Sequence, residues 1–151
     1  MFDVDACKAA ANIGSLDDWV HSYLNGGPWA NVGLSEGLRR QRRYWLGPIL
    51  LPPNSLERCC GPEPEMEYRM PADGWRRRVT AIADSLVDAR KLPPLIVEWR
   101  AGTLSIRDGS HRHAAMVKTG WHSCWVIIWC NSANDFEAAE REMAVRATIP
   151  P

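Results

Sequence analysis

"IADSLVDARKLPPLIVEWRAGTLSIRDGSHRHAAMVKTG", residues 82–120, carries the alternation that decides the fold. Pro93-Pro94 ends whatever helix precedes it, because proline has no N–H for the helical ladder and clashes with the turn before it. "LIVEW" (95–99) then reads as a strand, rich in β-branched and aromatic residues. Ala101-Gly102 turns the chain into "TLSIR" (103–107), where Leu104 and Ile106 alternate inward, so residues 95 to 107 are expected to form a hairpin. Asp108-Gly109 ends the second strand. From Ser110 the period becomes helical, and a helix is expected over roughly Ser110 to Lys118, with Gly120 as its C-terminal cap.

Outward from this stretch the same alternation continues. Upstream, Trp75, Val79, Ile82, Leu86 and Val87 recur at spacings of three and four, which predicts an amphipathic helix capped by Asp73. Downstream, "CWVIIW" (124–129) predicts a buried strand and "NDFEAAEREMAVRA" (134–147) a last amphipathic helix. Strands interleaved with helices define a mixed α/β (α+β) domain, which we place at residues 48–151. Its first part, "GPILLPPNSLERCCGPEPEMEY" (47–68), supplies a short strand, Ile49 to Leu51, and a proline-punctuated exposed loop carrying Glu57, Glu63, Glu65 and Glu67. Residues 1–47 read as an accessory helical and basic extension. They hold a helix from Ser15 through Leu24, with Ser15 and Asp18 spaced as a capping box, and then the glycine-rich "NGGPWANVG".

The 151 residues carry 18 basic and 18 acidic side chains, so no global field draws the protein to nucleic acid or anionic lipid. With no apolar run of 18 residues and no signal-peptide layout at the N-terminus, a soluble cytoplasmic protein is expected, without a membrane partner. The cysteines (Cys7, Cys59, Cys60, Cys124, Cys130) show no metal-binding or disulfide spacing and read as reduced thiols, Cys124 and Cys130 as buried ones. Four histidines without ligand spacing argue against a transition-metal site. Trp75, Trp125 and Trp129 lie on apolar patterns and are expected in the core; Trp29 and Trp45 either stack on a base or partner or pack locally. Arg39, Arg40, Arg42 and Arg43, bordered by Tyr44 and Trp45, are either a solvated helix face or a contact for nucleic acid or a protein partner.

The chemistry concentrates at 108–113. A helix that opens just after a strand points the free N–H groups of its first turn into the space above the strand end, and its dipole favours negative charge there. The amides of Gly109, Ser110, His111 and Arg112 would meet phosphate oxygens, with Arg112 as a bidentate clamp and His111 as a further donor. Asp108 suits magnesium, a substrate hydroxyl proton or a helix cap, and His113 sits where the rim of such a site would be. The competing reading is a helix capped by Asp108 or Ser110 with ordinary surface histidines and arginines.

The stretch 82–120 resembles the N-terminal domain of the ParB proteins and their relatives in the ParB/sulfiredoxin superfamily. There a helix, a Pro-Pro-led strand, a glycine turn, a second strand and a Gly-x-(His/Arg)-Arg box precede a helix with paired small residues. Here the box is Gly109-Ser110-His111-Arg112, followed by Ala114-Ala115 and closed by Gly120. With "ILLPPNSLERCCGPE" as a first strand and loop, the resemblance extends over most of residues 48–130. It implies a small mixed sheet flanked by helices and a pocket for ATP, ADP or CTP, its phosphates resting on the box, with Mg2+ near Asp108. Ser110 stands where sulfiredoxins carry a catalytic cysteine, which argues against sulfinic-acid reduction. The "Asp-Gly-x-His-Arg" form is similar to the free serine kinase branch, in which a glutamate of the first-strand loop acts as base; Glu57 and Glu63 are the candidates by position. Two functions follow as expectations. One is an ATP- or ADP-dependent phosphotransferase or NTPase acting on a small hydroxyl-bearing substrate. The other is a non-enzymatic, nucleotide-gated module that contacts DNA or a protein through Arg39 to Arg43.

Overall fold

The computed structural model of the protein describes residues 2–86 and 88–146. Alternation along the two central strands sets its architecture. In β5 (Leu95–Arg100) Leu95, Val97 and Trp99 face one way and Ile96 the other; in β7 (Cys124–Cys130) Cys124, Val126, Ile128 and Cys130 face one way and Ile127 and Trp129 the other. A sheet apolar on both faces must be covered on both. Helices α1 (Val4–Asn12), α2 (Leu16–Gly26) and α3 (Val32–Leu38) cover the Ile96 face: Cys7, Leu16, Val20, Tyr23, Leu24 and Leu38 form one cluster with Ile96, Ile127 and Trp129. Helices α5 (Ser110–Lys118) and α6 (Ala133–Arg146) cover the other, contributing Met116, Ala139 and Met143 to a cluster with Leu95, Val97, Ile106 and Val126.

The five-stranded sheet has the order β1-β7-β5-β6-β2, with β1 at Tyr44–Leu51, β6 at Thr103–Asp108 and β2 at Glu57–Arg58. β1 runs antiparallel to β7, β7 parallel to β5, β5 antiparallel to β6 and β6 parallel to β2. The expected hairpin is therefore β5–β6, turning at Ala101-Gly102, where both residues have positive φ. Two short strands, β3 (Cys60–Gly61) and β4 (Tyr68–Arg69), pair separately within the proline-rich loop. Helix α4 (Ala72–Ser85) lays Trp75, Val79 and Ile82 against Ala115 of α5. The α/β architecture, a small mixed sheet flanked by helices, is thus as expected.

Several local expectations require correction. The division at residues 47 and 48 falls inside β1, and α1–α3 are the covering layer of one sheet face rather than an accessory extension. β1 begins five residues before Ile49, its register shifting between Leu46 and Ile49 around Gly47-Pro48; a side chain at Gly47 would meet the Val126 carbonyl at 2.8 Å. Helix α4 starts after Pro71, so Asp73 lies in its first turn, 3.6 Å from Arg76, instead of capping it. Ser15 precedes α2 without a side-chain capping bond. Trp125 is only partly buried, with the Lys8 ammonium 4.1 Å from its ring centroid. Val87 and Ala147 lie outside the described residues. The cysteines are free thiols; Cys7, Cys124 and Cys130 are buried, and burial pushes Cys7 and Cys124 up to about 12. Among the described residues no helix is long and apolar enough to cross a membrane.

Candidate functional site

The junction of β6 and α5 is built around one glycine. Gly109 takes φ 105° and ψ 21°, a conformation L-residues rarely adopt, and this swings the chain out of the strand into the helix. No side chain caps the nine-residue helix α5. Asp108 is engaged with Tyr23 and Arg112, Ser110 is the first helical residue and makes no capping bond, and the first-turn N–H groups keep the partial positive charge of the helix start. At the other end Gly120 has φ 76°, with Gly120 N–H bonded to Val117 O and Trp121 N–H to Met116 O, as expected for its capping role.

Arg112, expected as a bidentate phosphate clamp, is a buried side chain with its own protein partners. It is 1% exposed, and on a helix it shares a stripe with Ala115 and Met116, three and four residues on, so it enters the core side of α5. Its Nη2 donates to Asp108 Oδ2 and to the Tyr23 hydroxyl, both at 2.8 Å, and its Nη1 to the Pro93 carbonyl at 2.6 Å. Tyr23 in turn donates to Asp108 Oδ2 at 2.8 Å, and burial pushes its own ionisation upward. Helix α2, the strand end and the helix start are thereby tied by one buried ion pair. Arg112 Nε alone among its nitrogens lacks an acceptor among the described residues.

A hollow of about 200 Å³ opens beside this junction, lined by Pro28, Trp29, Ala30, Asn31, Arg78, Asp108, Gly109, His111 and Arg112. Arg78 comes from exposed positions of α4 and has no side-chain partner among the described residues. Trp29 forms part of the wall, and the Arg112 guanidinium lies 5.0 Å from its ring centroid. His111 packs on Trp75 with ring centroids 4.3 Å apart, and burial together with the nearby Arg78 and Arg58 charges pushes its pKa down to about 4. The imidazole is neutral at pH 7 in a positive local field, an environment that favours an anion. Because folding lowers this pKa below its unfolded value of about 6.5, the folded state gives up stability as pH falls from 6.5 towards 4, where only the unfolded chain takes the proton. Urea unfolding at pH 7 and pH 5 should show the loss, and His111→Gln should reduce it; an unchanged pH dependence in that variant would place the sensitivity elsewhere, in His113 or His21.

Tyr23 and Arg78 carry no site expectation from the sequence, and Trp29, expected either to stack on a base or partner or to pack locally, stands on the wall of the hollow. Tyr23 had a usable signal: Leu16, Val20, Tyr23 and Leu24 share one face of α2, and a buried tyrosine hydroxyl needs a partner. Trp29 and Arg78 reach the hollow through tertiary packing that no local pattern encodes.

The other expected site residues are dispersed. Ser110 is buried at the first helical position and does not line the hollow. His113 is also buried; its Nε2 lies 2.8 Å from the Pro53 carbonyl, fastening α5 to the 53–55 turn, and it faces a separate groove with Leu56 and Lys118. Neither Glu57, exposed on β2, nor Glu63 lines the hollow. Glu63 is held by Arg58 at 2.5 Å, which lowers its pKa. Arg58 also lies 4.9 Å from the Trp75 ring, so Glu63 connects to His111 only through that cation and that indole. A protein-built magnesium cage does not fit: Asp108 Oδ2 already accepts from Tyr23 and Arg112, and among the described residues no three His, Cys, Asp or Glu side chains converge. Arg39, Arg40, Arg42 and Arg43 follow the end of α3 in a loop rather than forming a helix face. Arg42 lies over Tyr44 at 4.9 Å, and Arg43 bonds the Leu38 and Gly37 carbonyls and Asn131, while Arg39 and Arg40 are exposed.

No family model and no curated protein matches this chain. Among solved structures, it is similar to the C-terminally truncated chromosome-partitioning protein ParB from Caulobacter crescentus, crystallised with CTP-γ-S. The two are 22% identical with a TM-score of 0.37, over 69% of this chain and 56% of that one. The likeness thus spans little more than half of that chain's length.

Proposed function

We propose that the protein binds a nucleotide by its phosphates at the start of α5. One observation carries this reading: an uncapped helix N-terminus faces a hollow lined by Arg112, whose buried Nε has no partner among the described residues. A buried guanidinium nitrogen without an acceptor is costly, and a phosphate oxygen removes that cost while meeting the helix amides. Arg78 adds a charge with no carboxylate partner among the described residues, and together with Arg58 it makes the field at His111 positive, on top of the burial that chiefly lowers that pKa. About 200 Å³ accommodates a phosphate chain rather than a whole nucleotide, so sugar and base extend out along the wall that includes Trp29 and Asn31.

The reading is one of binding. Phosphoryl transfer to a hydroxyl needs a base near the phosphates, and Glu63 supplies one only after leaving Arg58. Calorimetric titration with CTP, ATP and ADP, with and without magnesium, tests the proposal. Arg78→Gln is expected to weaken the preferred nucleotide about tenfold, the usual scale for losing one charge-assisted phosphate contact. Binding that is absent in the native protein, or equal in native and Arg78→Gln chains, would overturn it.

A further inference from the structure

A second hollow lies between α3, the β3–β4 pair and the β5–β6 side of the sheet, with a volume of about 750 Å³. Arg40, Arg43, Arg100 and Arg107 line it against a single carboxylate, Glu98. Glu98 is buried and fully used: Oε1 accepts from Arg100 at 2.5 Å and lies 3.5 Å from Arg107 Nε, and Oε2 accepts from Asn131 at 3.1 Å. Arg43 spends its nitrogens on neutral oxygens of Leu38, Gly37 and Asn131, and the Arg40 side chain has no partner among the described residues, so neither charge is compensated.

Two of the lining side chains also keep unmet donors. Arg107 is 10% exposed; its Nη1 donates to Glu67 at 2.9 Å, but its Nη2 has no acceptor among the described residues. Trp129 is 4% exposed, and its indole Nε1 is likewise unpaired. Buried donors are normally satisfied, and two of them on residues that line one hollow leave hydrogen-bonding capacity just behind its wall. A cation would meet the arginines, and a purely apolar molecule would leave both donors unmet. The exposed Tyr68 ring and the partly buried Leu34 side chain add apolar surface for an organic body.

We infer that this hollow is a second binding site, separate from the α5 N-terminus, which takes a small organic anion carrying a phosphate or carboxylate group. The oxyanion lies towards Arg107 and Trp129, with Arg40, Arg43 and Arg100 supplying the field, and the organic body rests on Tyr68 and α3. Asn31 lies on the walls of both hollows, so the two ligands would be neighbours.

The test follows the Trp129 indole N–H of the full chain by ¹H–¹⁵N NMR, assigned through Trp129→Phe, during titration with phenyl phosphate and with benzoate. A saturable shift with phenyl phosphate alone, with benzoate alone or with both supports the site and names the anion. Arg40→Gln is expected to weaken the interaction about tenfold, and Arg100→Gln to do the same, whereas Arg78→Gln leaves it unchanged. Neither Arg40 nor Arg100 is buried, and Glu98 keeps Arg107 and Asn131 when Arg100 is changed, so both variants should fold. A Trp129 signal that moves with neither ligand, or moves equally in native and Arg40→Gln proteins, would overturn the inference. Since Arg78 serves only the first hollow, loss of nucleotide binding there and loss of anion binding here are read independently.

Discussion

Gly109→Ala should destabilise the protein by roughly 4 kcal/mol, combining backbone strain of about 1–3 kcal/mol with a similar cost of overpacking. Both contributions are visible at the site. Gly109 sits at φ 105°, well beyond the ordinary left-handed well, and a Cβ there would lie 2.5 Å from Leu95 Cδ2 and 2.9 Å from Arg112 Nη2. Neither neighbour can easily retreat, because Leu95 is fully buried and Arg112 is pinned by three partners. Gly120→Ala provides the calibration. Its φ of 76° is also unfavourable for alanine, but nothing lies within 4 Å of the added methyl, so only about 1–2 kcal/mol of conformational strain is expected. Urea unfolding of the two variants measures the difference directly. Equal losses would mean that the β6–α5 junction relaxes around the methyl group, and nucleotide affinity should then survive the Gly109 change.

Replacing Arg112 by methionine should cost about 3–5 kcal/mol, the range for removing one partner of a buried ion pair. Methionine keeps much of the volume, so the loss isolates the charge: Asp108 is left as a carboxylate with only the Tyr23 hydroxyl, and the Pro93 carbonyl loses its donor. Tyr23→Phe, which removes one neutral donor and leaves the ion pair, should cost about 1–2 kcal/mol. Combining both changes in a double-mutant cycle should show coupling, since each side chain contacts Asp108 Oδ2 and the other. Additive losses would mean that α2 is not energetically joined to the helix start. Lysine should fail at this position as well, because a single ammonium cannot reach Pro93, Tyr23 and Asp108 with the geometry of a guanidinium fork.

The hairpin, α5 and β7 are readable because each is a regular or continuously apolar stretch set off by turn residues: Pro93-Pro94, Ala101-Gly102 and Asp108-Gly109 bound the two hairpin strands, and Gly120 separates α5 from β7. β1 was half-hidden. Its first residues follow a run of arginines and its middle is broken by Gly47-Pro48, so the local pattern shows only Ile49 to Leu51 while pairing with β7 extends the strand back to Tyr44. The three N-terminal helices read as peripheral because their role is to cover Ile96, Ile127 and Trp129, which are far away in sequence. At the site, residue types suggest anion contact, and Asp108, Gly109, His111 and Arg112 line one hollow while Ser110 does not. The orientation of Arg112 was nonetheless decipherable: its spacing from Ala115 and Met116 is that of a core stripe. What no local reading could supply is which distant side chains complete the walls, Trp29 from the α2–α3 loop and Arg78 from α4.

Gly47-Pro48 also has a consequence for self-association. β1 is one border of the sheet, and a border strand with a regular row of free N–H and C=O groups invites another chain to add to it. Here the row is interrupted at its middle by a register break and by a residue with no N–H to offer, while the opposite border, β2, is only two residues long. Neither border can template an extended neighbour, so the sheet is closed to growth from both sides and copies of the chain should resist strand-to-strand aggregation even when crowded.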